Sequence, residues 1–380
     1  MHENKVLAIL TYEGSERPMK TVEQLQRIAN SLTIEELNDA CRAAGHYRSG
    51  FPYPLDSPSP LFYIKYGGGG QCFNNMEVAT QVFTRDSLKA MSGSTTDGGN
   101  LPRVPKIFRV FGGRYIVMEY VQGKTLLELA ETKSWEEQLQ YIDRIAEAVD
   151  ILLTIPIPAE AAPGPYGGGI TRHPLFKDSE APKIFNDVAS LQEHINYMST
   201  LPQKSRYTAN PPRPESTFDN RLYLVYSDFY PGNFIFDANG SLWIIDFGHA
   251  SLLPLCFQTY ALLRPFPASG QYADAIYDRI KTELPTRNIE AMRRAAGWFG
   301  MSVRWLGLSK DEVFQGDYSP TYTFPEVMSV VKSQPDTSRS IFLEKWHSWF
   351  TEHKYTCLLL ASGALGLSLA LSHVPRAPEE

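Results

Sequence analysis

The sequence predicts an α+β protein of two lobes, a small β-rich amino-terminal lobe and a larger, mainly helical carboxy-terminal one. Three observations carry this reading. Leu61–Tyr66 (LFYIKY) and Arg114–Val121 (RYIVMEYV) are aromatic and β-branched runs that read as buried strands. A third strand-rich stretch at 222–245 contains the turn dipeptide Asn239-Gly240 between two apolar runs. Helical spacing dominates most of the rest, and 380 residues suit two lobes at ~150 residues each.

Residues 21–45 read as two helices, with Thr33 and Glu36 in capping-box spacing ahead of Leu37 and Ala40. Ser49–Pro60 is rich in Pro, Ser and Gly and reads as a boundary. The glycines at 67–70 end the first strand. Asn75–Met91 has helical spacing through Met76, Val78, Val82, Phe83 and Leu88. Ser92–Pro105 reads as a loop, and a short helix follows Gly123.

A longer helix starts at Ser134, where Glu137 repeats the capping box. It runs through Leu139, Ile142, Ile145, Val149 and Leu152 and stops before Pro156. Pro156–Gly169 and Leu201–Glu215 are loops by composition, flanking a helical stretch near 183–199. After Gly248 the chain reads as mostly helical, except for a loop-rich Ser309–Ser340.

Hydrophobic residues make up 43% and charged residues 21%, which excludes wholesale disorder. Thirty-six basic against 42 acidic side chains give a net charge of −6, arguing against a general nucleic-acid binder. Cys41, Cys72, Cys256 and Cys357 are too scattered for a zinc knuckle or a disulfide framework and suit reduced thiols in the cytoplasm. Met1–Leu10 carries Glu3 and Lys5 and no apolar stretch, so no signal peptide is expected there. The apolar run Cys357–Leu371 falls short of the ~20 residues of a spanning helix, so a buried final helix is expected and a membrane anchor is the minority reading.

The chemistry concentrates at 222–248. Asp228 follows one strand, Asn233 precedes the next, and Asp246 ends the returning strand. An antiparallel hairpin would bring all three to one end of the sheet. Asn and Asp oxygens there suit Mg²⁺, a hard cation that prefers oxygen ligands, which leaves one carboxylate to orient or deprotonate a nucleophile. The eight histidines offer no metal site: His347 and His353 are six apart rather than i,i+4. His249 follows the last motif directly; contact with phosphate or substrate is the minority reading, and a local structural role is expected for it. No nucleophile elbow or Cys-His pattern supports covalent hydrolysis.

The segments YSDFYPGN (Tyr226–Asn233) and IIDFG (Ile244–Gly248) resemble the aminoglycoside/choline phosphotransferase family, which has a protein-kinase-like fold. Leu153–Pro158 and Pro165-Tyr166-Gly167 to Phe176 resemble its fungal-type branch. The resemblance implies an ATP- and Mg²⁺-dependent transfer of the γ-phosphate to a hydroxyl of a small molecule. Lys65 would then hold the α/β-phosphates with Glu77 as its ion-pair partner, and the backbone at Glu119 and Val121 would meet adenine. Asn233 and Asp246 would hold Mg²⁺, and Asp228 would accept the acceptor's proton. It also implies a helical extension at 1–50, a nucleotide-binding lobe at 51–122 with its hinge at 118–122, and a helical lobe at 123–380 with the catalytic hairpin at 222–248.

Three departures stand out. Tyr226 occupies the position where the family usually carries His. No Gly-rich loop precedes Lys65. Cys256–Tyr260 lacks the acidic residue many relatives carry. A pseudokinase or nucleotide-binding module without turnover is the alternative reading. A protein kinase is disfavoured, because no Ala-Pro-Glu segment follows Gly248. Glu180, Asp187, Glu193, Asp274 and Asp278 are available to a cationic acceptor, although surface helices commonly carry such charges.

Overall fold

The strand β2 (Phe62–Tyr66) buries alternate residues, and its partners set the first layer of the molecule. A computed structural model describes residues 20–45, 49–66, 75–94, 101–111, 114–201, 213–301 and 306–308. All fall in one contact unit, Met1–Val327; the expectations for Ser309–Ser340, Cys357–Leu371, His347, His353, Cys72, Cys357 and the glycines at 67–70 lie outside the described residues.

Two helices come first, α1 (Val22–Ser31) and α2 (Ile34–Ala44), each opened by a complete capping box, Thr21 with Gln24 and Thr33 with Glu36. A four-stranded antiparallel sheet follows, in the order β1-β2-β4-β3, with β1 Gly50–Tyr53, β3 Ile107–Phe111 and β4 Tyr115–Glu119. The helix α3 (Asn75–Ser94) connects β2 to β3 and lays Val78 and Val82 against Ile107, Ile116 and Met118.

The boundary expected at residue 50 does not separate an extension from this sheet. Ala29, Leu32 and Leu37 share one buried cluster with Phe51, Phe62, Ile64 and Val117. The Arg109 guanidinium on β3 donates to the carbonyls of Ala29, Asn30 and Leu32 at 3.2, 2.7 and 2.7 Å, covering the orphan carbonyls at the end of α1. The two helices are thus a second layer on the sheet's outer face.

Beyond β4 come β5 (Gly123–Thr125), α4 (Leu126–Ala130) and α5 (Trp135–Thr154), the last capped by Ser134 and Glu137 as expected. One face of α5 carries Ile142, Ile145, Val149 and Leu152 into the largest buried cluster, beneath Tyr226, Phe229, Phe234 and Phe247. The remaining helices are α6 (Val188–Thr200), α7 (Leu255–Leu263), α8 (Gly270–Tyr277) and α9 (Ile289–Met301), with α6 and α9 packed together. The inward faces of α6 and α9, including Leu191, Ile195, Met292 and Phe299, form a second cluster with Phe257 of α7, whereas α8 packs into the first through Tyr272 and Ile276.

The single hairpin expected at 222–248 resolves into two small sheets. The hairpin of β7 (Phe234–Asp237) and β8 (Leu242–Ile244) forms around Asn239-Gly240, with Gly240 at φ +75°, and β5 joins its other edge. By contrast β6 (Tyr223–Tyr226) pairs with β9 (Ala250–Leu253), a strand the sequence reading assigned to helix. Residues 226–233 therefore cross from one sheet to the other, and 245–249 cross back.

Candidate active site

Lys65 lies in β2, Glu77 two residues inside α3, and Asp246 just past β8. Their side chains meet. Lys65 Nζ is 2.5 Å from Glu77 Oε1 and 2.8 Å from Asp246 Oδ1. The Lys65 and Glu77 side chains are 15% and 7% exposed, whereas Asp246 is 39% exposed, so the triad opens to solvent on the Asp246 side. Burial alone would lower the lysine's pKa, but the two carboxylates outweigh it and hold the ammonium charged. Burial and the neighbouring Asp246 charge raise Glu77 despite its lysine partner. Burial also pushes Asp246 up, yet Lys65 prevails and its carboxyl stays below the usual range.

Asp246 adopts φ 60° and ψ 74°, left-handed backbone that a non-glycine residue rarely holds without support. Its Oδ1 also accepts the Gly248 N–H at 3.3 Å. A Cβ at Gly248 would come within 3.2 Å of that Oδ1 and 3.6 Å of Glu77 Oε2, so glycine leaves the triad its space.

Two hydroxyls from the end of β6 bracket this loop. Tyr226 Oη donates to the Ile245 carbonyl and Ser227 Oγ to the His249 carbonyl, both at 2.7 Å. The sequence reading singled out neither hydroxyl as a donor to this loop. Alternation along β6 places the two side chains on opposite faces, but nothing in the sequence reveals which carbonyls they reach.

Asp228 stands beyond β6 with 17% of its side chain exposed. Its Oδ1 accepts the Tyr230 N–H at 3.2 Å. Its Oδ2 lies 3.6 Å from His249 Nδ1, beyond hydrogen-bond length, and the imidazole rests beside the Phe266 ring at 5.3 Å. Asn233 is buried at the end of a 3₁₀ turn, Pro231–Asn233, and its Nδ2 donates to the Asp228 carbonyl at 3.2 Å. That bond orients the amide so that Oδ1 is left as the acceptor.

The expected hinge residues sit apart from this group. At the end of β4, Glu119 is tied to Lys106 twice: its N–H donates to the Lys106 carbonyl at 2.8 Å and its carboxylate accepts the Lys106 N–H at 3.0 Å. Val121 lies in the connection to β5, and its peptide makes no hydrogen bond among the described residues.

A β-rich lobe whose lysine meets a helix glutamate, joined through 120–122 to a helical lobe carrying the Asp228, Asn233 and Asp246 loops, is the protein-kinase-like fold. The chain belongs to the APH phosphotransferase enzyme family, whose pattern matches residues 95–293, just over half of it. The match spans Glu119, Val121, Asp228, Asn233 and Asp246, while Lys65 and Glu77 precede it. A streptomycin–ATP ternary complex of APH(2")-IIa is similar at 15% identity and TM-score 0.35, over 70% of this chain and 86% of that one. A ternary complex of APH(4)-Ia with AMP-PNP and hygromycin B aligns at 14% identity and TM-score 0.37, over 70% and 89%. Choline kinase LicA from Streptococcus pneumoniae aligns at 14% identity and TM-score 0.31, over 69% and 84%. A comparison with curated protein sequences returns no match.

Proposed function

We propose that the protein transfers the γ-phosphate of Mg²⁺-ATP to a hydroxyl of a small molecule. The observation that carries this reading is the convergence of Lys65 on Glu77 and Asp246 from 12 and 181 residues away. Glu77 fixes the lysine's position so that its ammonium is presented to the α/β-phosphates. The Glu119 carbonyl and Val121 N–H receive the adenine edge, and the Val121 peptide, which makes no hydrogen bond among the described residues, suits that use.

The donor set fits Mg²⁺. One ionised carboxylate, Asp246, and one oriented amide oxygen, Asn233 Oδ1, are what this cation takes from protein when phosphates and water complete its shell. Bound there, it would neutralise charge on the transferred phosphoryl group. Asp228 accepts the acceptor's hydroxyl proton as the new O–P bond forms and the bond to ADP breaks. Catalysis on this reading is positioning and charge neutralisation.

The loop Pro165-Tyr166-Gly167 supports the fungal-type branch of the family. Cys41 and Cys256 are free thiols, which fits a reduced cytoplasmic setting, and among the described residues no helix is long and apolar enough to cross a membrane. Purified protein with Mg²⁺-ATP, screened for ATP consumption against hydroxylated amines, amino acids, sugars and antibiotics, tests the reading. Acceptor-dependent release of ADP is expected with one class. Tight Mg²⁺-ATP binding with no turnover beyond slow hydrolysis across all classes would make the protein a nucleotide-binding module instead.

A further inference from the structure

The segment Pro163–Thr171 (PGPYGGGIT) has no part in the chemistry above, yet its geometry is specific. Gly164 pairs antiparallel with Leu252 of β9, donating its N–H at 3.1 Å and accepting the Leu252 N–H at 2.6 Å. From that anchor the loop reaches α3. The Tyr166 N–H donates to Thr80 Oγ1 at 3.0 Å, and the Tyr166 ring stacks on Phe83 with centroids 4.1 Å apart and planes 8° from parallel. Gly169, at φ +121°, passes so close to Met76 that a Cβ would lie 2.8 Å from its Cγ.

Met76, Thr80 and Phe83 are spaced i, i+4, i+7, one stripe of α3, and the loop covers all three. Gln81 fastens another side of the helix by donating to the Pro105 carbonyl at 2.9 Å. Glu77 therefore sits on a turn of helix held from two directions. One clamp comes from a loop hydrogen-bonded to the strand that follows Asp246. Arg172, next in sequence, pairs with Glu180 at 2.7 Å and contributes favourable charge to Glu77.

We propose that Tyr166 and Gly169 are positioning residues that hold α3 so that Glu77 aims Lys65 at the nucleotide. The inference rests on the phosphotransferase reading. It accounts for the run of glycines, because Gly164, Gly167, Gly168 and Gly169 all have positive φ and only a chain of that kind follows this path along α3. It also makes α3 part of the Asp246-bearing body, so the lysine–glutamate pair is formed before nucleotide arrives.

The test is a double-mutant cycle on Mg²⁺-AMP-PNP affinity, measured by calorimetry, with melting temperatures recorded without nucleotide. Tyr166→Ala is expected to weaken binding about tenfold, a coupling typical of residues acting through one network. Tyr166→Phe, which keeps the stack and the backbone bond, should bind within about twofold of wild type. In a Glu77→Gln background, Tyr166→Ala should cost less than about twofold more, because the group it positions is already disabled. If Tyr166→Ala does not fold, Phe83→Leu removes the other half of the stack and substitutes for it in the cycle. A tenfold loss that persists undiminished with Gln at position 77, or a lowered melting temperature with unchanged affinity, overturns the proposal. Wild-type protein that fails to bind Mg²⁺-AMP-PNP overturns the phosphotransferase reading together with this one.

Discussion

The Tyr226 hydroxyl donates to the Ile245 carbonyl across 2.7 Å, joining the strand that leads to Asp228 to the residue before Asp246. The ring is buried among Phe229, Phe234 and Phe247, at centroid distances of 5.7–6.0 Å. Gln258 holds the same residue from the other side, accepting the Tyr226 N–H at 3.1 Å and donating to its carbonyl at 3.0 Å. Burial and the nearby Asp228 and Asp246 charges raise the phenol's pKa far above its ordinary value, so it remains a donor across the physiological range. A tyrosine thus ties together the two loops at a position where histidine is usual in the family. Ser227 repeats the connection on the far side of the loop, so Asp246's left-handed backbone is pinned at both ends.

Tyr226→Phe keeps the packing and removes only the donor. It leaves the part-buried carbonyl at Ile245 without this donor, and a buried group so left typically costs about 1–3 kcal/mol. We expect a lower unfolding free energy by that amount in denaturant titrations, and weaker Mg²⁺-ATP binding as the Asp246 loop loosens. Unchanged stability and unchanged binding would mean that the hydroxyl bond does not hold the loop.

The Asp246 carboxyl beside Lys65 gives a pH signature with opposite signs in two proteins. In the wild type Asp246 is held below its unfolded pKa of about 4. Its contribution is present above that value and is lost as pH falls through the folded one. Lys65→Met leaves two carboxylates facing each other without their cation, and burial with mutual repulsion then raises both. Folded protein would bind protons more tightly than unfolded protein, so stability of the variant should fall, relative to wild type, as pH rises from 4 to 8. Melting temperatures across that range measure it; parallel profiles would mean that the lysine does not neutralise the pair.

Much of this was legible in the sequence, and the misses have physical causes. Capping boxes at Thr33 and Ser134 and the Asn239-Gly240 turn are local devices, and they formed where expected. The strand β1 was missed because Pro52 sits within it, which only an edge strand tolerates, and β1 is an edge. The other edge strand, β3, carries Arg109 at its centre, whose role depends on a helix end far off in sequence. The strand β9 merges into the apolar start of α7, and a short apolar run has no period to separate strand from helix. The meeting of Lys65 with Glu77 was legible because spacing and element type constrain it. Partnerships such as Ser227 with His249 or Tyr166 with Phe83 depend on tertiary contact alone.

His173 supplies a second pH effect, one that rests mainly on its own burial. Its ring is fully buried, with Nε2 3.1 Å from the Phe257 carbonyl and Nδ1 accepting the Leu175 N–H at 3.2 Å. Burial, opposed by the bond to Phe257, drops its pKa to about 3. The unfolded chain takes up a proton near pH 6.5 that the folded chain refuses, so stability falls as pH drops from 6.5 toward 3. Between pH 7 and 5 this amounts to roughly 2 kcal/mol at one unit per 1.36 kcal/mol. His173→Gln, which retains a donor and an acceptor, should flatten that part of the profile. A slope as steep as the wild type's would assign the acid sensitivity elsewhere.

The remaining prediction separates chemistry from binding. Asp228 touches neither Lys65 nor Asp246, and on the proposed reading it meets the acceptor hydroxyl rather than the nucleotide. Asp228→Asn preserves the shape and can still accept the Tyr230 N–H through its amide oxygen, while losing charge and basicity. Phosphotransfer should fall by ~10²–10⁴, the usual contribution of a positioned base, with Mg²⁺-ATP affinity little changed. Asp246→Asn should damage both, since on the same reading it removes the charged metal ligand, and it also takes away one of the two carboxylates on Lys65. If Asp228 served only to close the turn to Tyr230, the asparagine variant would keep near wild-type turnover. Rates, affinities and melting curves for the two variants side by side distinguish these outcomes, because only a base lowers the rate while leaving the other two in place.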